Sequence, residues 1–208
     1  DFARAESTYR KALELDPTFL PGYEQLGRLY AQQNKLPQAQ AEFERLVAQR
    51  PTDVSAHTIL GILLEVQQKR DEAKNIYEKT LGLNAHAVVA ANNLAYMLVQ
   101  EGGSLERAFS LAQTAKAGRP DDPDVNDTLG WIYYKRNLPK LAIEMLGQSV
   151  KARPGNAVYQ YHLGMAYLQA GDIPQGRGAL EAALKLQPTF DGAAEARKAL
   201  ASLGTPPR

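Results

Sequence analysis

The chain has 208 residues, no cysteine, and nearly equal numbers of basic and acidic side chains, 24 Lys and Arg against 23 Asp and Glu. Disulfides and thiolate metal sites are therefore excluded, and the balanced charge offers no electrostatic surface for nucleic acid. No apolar run approaches the roughly 18 residues of a membrane helix, so direct membrane insertion is not expected. We expect a soluble protein of the cytoplasm or the periplasm.

One short motif recurs along the chain: leucine, then glycine, then an aromatic or aliphatic residue three positions after the glycine. The third copy has Ala95 in place of glycine. Successive copies lie 34 residues apart, except for one step of 35 between Ala95 and Gly130 that indicates an insertion near Gly102 and Gly103. The copies are Leu26–Tyr30, Leu60–Leu64, Leu94–Leu98, Leu129–Tyr133 and Leu163–Tyr167.

Other columns keep the same step. Prolines recur at Pro17, Pro51, Pro120, Pro154 and Pro188, with Ala85 in the slot between Pro51 and Pro120. Small residues, each followed four positions later by a bulky one, recur at Ala5, Ala39, Ala73, Ala142 and Gly176. Such a period predicts a repeat of two short amphipathic helices that bury their apolar stripes only by stacking on neighbours. The glycines predict places where two helix backbones pass too close for a side chain.

In chain order, the pattern predicts one continuous solenoid domain that begins inside a repeat, as a fragment of a longer protein would. Residues 191–208 depart from the frame, with Arg197 and Lys198 in place of leucine and glycine, and are predicted to be a C-terminal capping helix and tail. The predicted units are 1–19 for the second helix of a truncated repeat, then repeats 20–53, 54–87, 88–122 (with the insertion), 123–156 and 157–190.

Polar residues at the predicted helix starts indicate N-caps, namely Asp71, Ser104 and Asp122. Charges on the second helices, such as Glu42, Glu44 and Arg45, are predicted to form a solvated outer face.

The combined pattern of Leu-Gly-x-x-Tyr, Ala-x-x-x-Phe/Tyr and Pro at a 34-residue step resembles the tetratricopeptide repeat (TPR) family over nearly the whole chain. The stretches at 92–96 and 127–134 look like bacterial-type scaffold members of that family. The resemblance implies an all-α fold, a right-handed superhelical solenoid of antiparallel helix pairs. It also implies that the first helix of each pair lines a concave groove.

The groove columns are unusually apolar and aromatic, which is typical of an interaction site, with Trp131 near the middle as an anchor. Asn92 and Asn93 have the chemistry to bond a ligand's backbone amides. The alternative is that neighbouring repeats bury part of this strip between them. The predicted partner-binding residues are Ile59, Ile62, Val66, Asn92, Asn93, Tyr96, Val99, Asp127, Trp131, Tyr134, Tyr161, His162, Met165 and Leu168.

No pattern indicates chemistry. His57, His86 and His162 lie in different repeats without metal-ligand spacing; His57 is predicted to be a core residue, and His162 to face the groove. We expect no catalytic residue, no metal and no cofactor. The leading function is a scaffold that binds a peptide, helix or partner domain in the groove. The alternatives are a recognition arm of a larger enzyme, such as a glycosyltransferase, and self-association through the open N-terminal end.

Overall fold

The computed structural model describes residues 1–204, apart from the side chain of Leu20, and these residues contain twelve α-helices and no strand. The helices are α1 Phe2–Leu15, α2 Leu20–Gln32, α3 Leu36–Gln49, α4 Val54–Val66, α5 Arg70–Leu83, α6 Val88–Gln100, α7 Leu105–Gly118, α8 Pro123–Lys135, α9 Pro139–Ala152, α10 Ala157–Gln169, α11 Ile173–Leu186 and α12 Ala193–Ser202.

Consecutive helices pack as pairs: α2 on α3, α4 on α5, α8 on α9, and α10 on α11. The predicted all-α array of helix pairs is therefore confirmed. The chain divides into two compact units, Asp1–Leu94 and Ala95–Arg208, which we call unit 1 and unit 2. The division falls within α6, and each unit is described by itself. The assignment of individual repeat boundaries stays a prediction.

The glycines of the repeat motif lie where a bulky side chain of the paired helix meets the first helix. In unit 1, a Cβ on Gly27 would come within 2.7 Å of the Phe43 ring, and one on Gly61 would collide with the Tyr77 ring. In unit 2, a Cβ on Gly130 would lie 2.6 Å from Leu146. The predicted close approach is confirmed, but the nearest obstacle is a side chain rather than a backbone. The glycine column and the bulky column are thus two halves of one packing contact.

The turns inside the pairs contain a repeated left-handed residue that the sequence analysis missed. In the turn between α4 and α5, Gln68 has φ 61°, and the amide of Lys69 donates to the carbonyl of Leu64 at 2.9 Å. This bond closes the helix end as a Schellman motif does. The corresponding turn residues are Asn34, Gln68, Gly102, Asn137 and Gly171.

The predicted N-caps are confirmed at two of three positions. The Ser104 hydroxyl accepts from the amide of Arg107 at 3.3 Å, and Asp122 accepts from the amide of Asp124 at 2.9 Å. The predicted N-cap at Asp71 is wrong, because α5 begins at Arg70 and Asp71 lies inside its first turn. The loop before this helix has no inserted residue, whereas the loop before α7 has one more residue and brings Ser104 to the cap position.

The predicted solvated face needs one correction. Glu44 and Arg45 are exposed, but Glu42 is only 4% exposed. Arg45 Nη1 donates to both carboxylate oxygens of Glu42 at 2.9 Å, because a residue three positions later lies on the same side of the helix. The arginine therefore covers the carboxylate.

Candidate functional site

In unit 1, part of the predicted strip is open. Ile62 and Val66 lie one helical turn apart on α4 and are 36% and 56% exposed, and Ile59 on the same helix is half-buried. Branched aliphatic side chains at this spacing share one face of a helix. The first helix of this pair therefore presents an apolar surface that no other described residue of unit 1 covers.

A chain of hydrogen bonds runs beside this surface. Asn92 Nδ2 donates to Asn93 Oδ1 at 3.4 Å, and Asn93 Nδ2 donates to the Tyr77 hydroxyl at 3.0 Å. The Tyr77 hydroxyl in turn donates to Glu65 Oε2 at 2.9 Å. Asn92, where this series of hydrogen bonds begins, is only 8% exposed, which contradicts its expected place on an open groove surface. Its Oδ1 has no partner within the described structure. We call Ile59, Ile62, Glu65, Val66, Asn92 and Asn93 the unit 1 site.

Burial is the largest cause of the pKa shifts of Glu65 and Tyr77. It raises the pKa of Glu65, while the bond from Tyr77 and the charge of Arg70 act in the opposite direction. It also raises the pKa of Tyr77, and the nearby charge of Glu65 adds to that shift. Both groups therefore favour their neutral forms more than they would in water.

In unit 2, the expectation that Trp131 lies open on the strip is wrong, since its side chain is only 3% exposed. Its indole stacks on the Tyr134 ring at 4.5 Å between centroids and on the His162 ring at 4.0 Å. Tyr161 packs against it at a tilt, at 5.6 Å. The next first helix, α10, thus brings two rings against the indole and removes it from solvent, as the alternative interpretation of the strip anticipated.

His162 is also buried, contrary to its predicted place in the groove. Its Nδ1 lies 3.0 and 2.9 Å from the two oxygens of the buried Asp127. An ionised carboxylate only accepts, so this contact favours the tautomer in which Nδ1 carries the proton. His162 Nε2 and Trp131 Nε1 have no partner within the described structure. We call Asp127, Trp131, Tyr134, Tyr161 and His162 the aromatic cluster.

The remaining predicted residues of unit 2 surround this cluster. Val99 and Tyr161 are buried, which contradicts their expected exposure, because both pack in the same hydrophobic core as Trp131. Burial raises the pKa of Tyr161, and the charge of Glu195 on α12 adds to it. Four residues are only partly buried and pack on that core: Tyr96, Tyr134, Met165 and Leu168.

Within residues 1–204, no three His, Cys, Asp or Glu side chains come together as metal ligands. His57 is fully buried, with Nδ1 2.9 Å from the Asp53 carbonyl oxygen, so its predicted core position is confirmed. None of the described helices is both long enough and apolar enough to span a membrane.

Sequence reasoning missed Glu65 as a site residue and Tyr77 as its hydrogen-bond partner. The signal was present in the columns: Glu65 is the one charged residue in a column otherwise made of Ala31, Val99, Tyr134 and Leu168. A carboxylate in an otherwise uncharged column indicates a local departure from the repeat. The hydrogen bond between Glu65 and the Tyr77 hydroxyl depends on the contact of the Tyr77 ring with Gly61. The sequence columns alone do not show where that contact places the hydroxyl.

Comparisons with known proteins agree with this fold. One tetratricopeptide repeat model matches residues 1–63, and a second matches residues 60–123, 128–189 and 161–204. Human N-alpha-acetyltransferase 25, the NatB auxiliary subunit, is 30% identical over 117 residues, which is 56% of this chain and 12% of that protein. The chain thus spans only a small part of this curated relative.

Solved structures show the same fold at lower identity. YrrB, described as a TPR protein with an unusual peptide-binding site, is 21% identical with a TM-score of 0.67, covering 91% of this chain and 97% of that one. The APC/C hetero-tetramer Cut9–Hcn1 gives a TM-score of 0.77 at 18% identity, covering 98% of this chain and 40% of that one. Because the repeat models match more than half of its length, the chain belongs to the tetratricopeptide repeat family.

Proposed function

We propose that this chain is a protein–protein interaction scaffold that holds a peptide, a helix or a partner domain against the first helices of its pairs. The observation that carries the proposal is the exposure of Ile62 and Val66 beside the half-buried Glu65. Covering apolar surface contributes about 25 cal/mol per Å², and adjacent exposed aliphatic residues mark interaction sites. YrrB, a member of the same family, is described as having a peptide-binding site.

The residues predicted from the sequence divide into two roles under this proposal. In unit 1, the exposed Ile62 and Val66 and the half-buried Ile59 and Asn93 make direct contact, and the buried Asn92 bonds to Asn93. In unit 2, taken by itself, the partly buried Tyr96, Tyr134, Met165 and Leu168 make direct contact. Within unit 2, the buried Val99, Trp131 and Tyr161 form the core on which those four residues pack. Asp127 bonds to His162, whose ring stacks on Trp131. Burial of an aromatic anchor before a partner arrives reduces the ordering cost of binding.

A second candidate follows from the human relative. That protein is named as the auxiliary subunit of an N-alpha-acetyltransferase complex, so this chain is also proposed as a non-catalytic arm that recruits partners or substrates to an enzyme. A catalytic activity that copurifies with the chain, and is released when Ile62 is changed to aspartate, would favour this arm over a scaffold without enzyme. The bacterial origin expected from the sequence stays a prediction, because the relatives include a human protein.

Self-association through α1 is the third sequence-based proposal. Phe2 and Leu15 on that helix are 51% and 80% exposed. Sedimentation of the chain and of a Phe2→Ser, Leu15→Ser variant tests it. A dimer that the double substitution dissociates supports the proposal, and a monomer at all concentrations rejects it.

Site-specific photocrosslinking tests the scaffold proposal directly. A photoreactive amino acid is placed at position 62 or 66 on α4, and the chain is exposed to extract from its source cells. We expect both positions to crosslink to the same protein, and Ile62→Asp to weaken binding of that purified protein at least tenfold, as loss of a central apolar contact does.

The matched control places the photoreactive residue at Lys79, which is exposed on the second helix α5 of the same pair. Crosslinking from Lys79 as efficient as from position 62, or binding unchanged by Ile62→Asp, would contradict the proposed surface. Circular dichroism melts of the Ile62→Asp variant separate a binding defect from unfolding.

A further inference from the structure

Glu65 and Tyr77 are a hydrogen-bonded pair of polar residues that joins the two helices of one pair. Among the bulky residues that meet a motif glycine, Tyr77 alone has a polar group, whereas Phe43, Leu146 and Leu180 do not. The pairs Gly27–Phe43 and Gly130–Leu146 pack their helices without a hydroxyl or a carboxylate. Other helix pairs of this chain therefore form without a polar pair of this kind.

The hydrogen bonds of the unit 1 site all point toward the carboxylate. Each link donates in one direction, from Asn92 through Asn93 and Tyr77 to Glu65 Oε2. Aligned hydrogen bonds polarise one another, which strengthens the terminal bond from the Tyr77 hydroxyl to Glu65. A carboxylate has about four lone-pair sites, and Tyr77 uses one of them. Both ends of the chain, the Asn92 carbonyl and the Glu65 carboxylate, therefore have acceptor capacity left.

The charge of Glu65 is poorly compensated when it is ionised. Burial raises its pKa more than the Tyr77 bond and the charge of Arg70 lower it. The Arg70 guanidinium is directed to Gln68 Oε1, at 3.5 Å. A cation brought against Glu65 by a partner would offset this desolvation. An acidic group in the same place would add a second uncompensated negative charge.

The apolar surface beside Glu65 suits the aliphatic stem of an arginine or lysine side chain. Ile62 and Val66 lie on the same helix, on either side of Glu65 in sequence, and both are exposed. Lysine and arginine carry an apolar stem below a charged head, and the stem is most stable along apolar surface. We propose that the unit 1 site binds a partner segment that presents an arginine or lysine to Glu65 and an apolar residue to Ile62 and Val66.

This inference rests on the proposed scaffold function and names the chemistry of its partner. The probes are three short fluorescent peptides that differ at one position, with a Leu-Arg-Leu, Leu-Gln-Leu or Leu-Glu-Leu centre in a neutral host. We expect the arginine peptide to bind best and the glutamate peptide worst. Glu65→Gln should weaken the arginine peptide about tenfold, as loss of a charge-assisted hydrogen bond does. Glu72→Gln, an exposed carboxylate of the same unit, should leave it unchanged.

A charge swap sharpens the test. Glu65→Lys should reverse the order, so that the glutamate peptide binds better than the arginine peptide, and circular dichroism confirms that the variants are folded. Binding that ignores the central residue, is lost in Ile62→Asp and survives Glu65→Gln would overturn the basic partner while leaving the scaffold proposal intact. Failure of all three peptides to bind would overturn the inference, and the crosslinking experiment would still decide the scaffold proposal.

Discussion

Unit 1 and unit 2 are both built from repeated helix pairs, but equivalent residues of their first helices differ in solvent exposure. Ile62 and Trp131 both follow the motif glycine, and their side chains are 36% and 3% exposed respectively. In unit 2, the following first helix supplies Tyr161 and His162, whose rings cover the indole. The corresponding residues in unit 1 are Asn92 and Asn93, whose short side chains bond to each other and to Tyr77.

The difference shows that position in the repeat does not by itself decide exposure. A large aromatic ring is covered when the first helix of the following pair also carries aromatic rings, because packing between aromatic side chains is stabilising. An aliphatic residue followed by amides stays open. The same repeat therefore provides a closed aromatic cluster in unit 2 and an open apolar surface beside a half-buried carboxylate in unit 1.

The largest expected effect is on the stability of unit 2. Trp131→Ala should reduce the free energy of unfolding by about 3–5 kcal/mol, because it leaves a cavity between Tyr134 and His162. Ile62→Ala, at the equivalent position of unit 1, should cost much less, since the side chain is already partly in water. Urea denaturation followed by circular dichroism compares them. Equal losses would remove the distinction between the two units.

Gly130→Leu should cost about 3 kcal/mol, at the upper end for overpacking, since a Cβ at that position would already lie 2.6 Å from Leu146. Gly147→Leu on the paired helix α9 is the control, because nothing lies within 4 Å of a Cβ there. It should be neutral or slightly stabilising, as leucine is the better helix former. A large loss in the control would contradict the assigned packing face.

The buried pair of the aromatic cluster gives a smaller effect. Asp127→Asn should destabilise the chain by about 1–3 kcal/mol, because it weakens the acceptor that His162 Nδ1–H uses inside the core. Asp124→Asn, one turn earlier on α8, neutralises an exposed ion pair with Arg153 but keeps an amide oxygen that can accept from the Tyr159 hydroxyl. It should therefore cost less. Thermal melts of both variants measure the difference. A smaller loss for Asp127→Asn would show that the pair contributes little to unit 2.

The smallest effect is a pH dependence in unit 1. The pKa of Glu65 is raised in the folded chain, so the folded state binds the proton more tightly, and this stabilisation is present at low pH and lost as pH rises through the raised pKa. Tyr77 and Arg70 are the groups that oppose the shift. Glu65→Gln should therefore be more stable than the original chain at neutral pH, and the difference should close as pH falls below the ordinary pKa of a glutamate. A stability difference that widens in acid would show that folding lowers the pKa of Glu65 instead of raising it.

The sequence predicted the fold well because its determinants are local and repeated. The glycine of each motif and the bulky residue of its paired helix recur at one step, so the helix pairs follow from the period. The insertion near Gly102 was also recognised, since every later column shifts by one residue. The left-handed turn column was missed because Asn34, Gln68 and Gly171 share a backbone conformation rather than a residue type.

The candidate site was predicted less well because exposure depends on neighbours far along the chain. Ile62 and Val66 were correctly expected to be open, but Trp131 and His162 were not expected to be covered. Their burial depends on rings that lie about one repeat apart in sequence, and a column read along a single helix does not contain that information. Glu65 was overlooked because its partner, Tyr77, reaches it across the helix pair.

The most direct test of the contrast between the units uses Trp131, the single tryptophan of the chain. Its fluorescence reports the solvent exposure of unit 2's aromatic cluster without any substitution. The account predicts a blue-shifted emission maximum that iodide barely quenches, because the indole is stacked between Tyr134 and His162. A red-shifted maximum with strong iodide quenching would contradict it, since the aromatic strip of unit 2 would then be open.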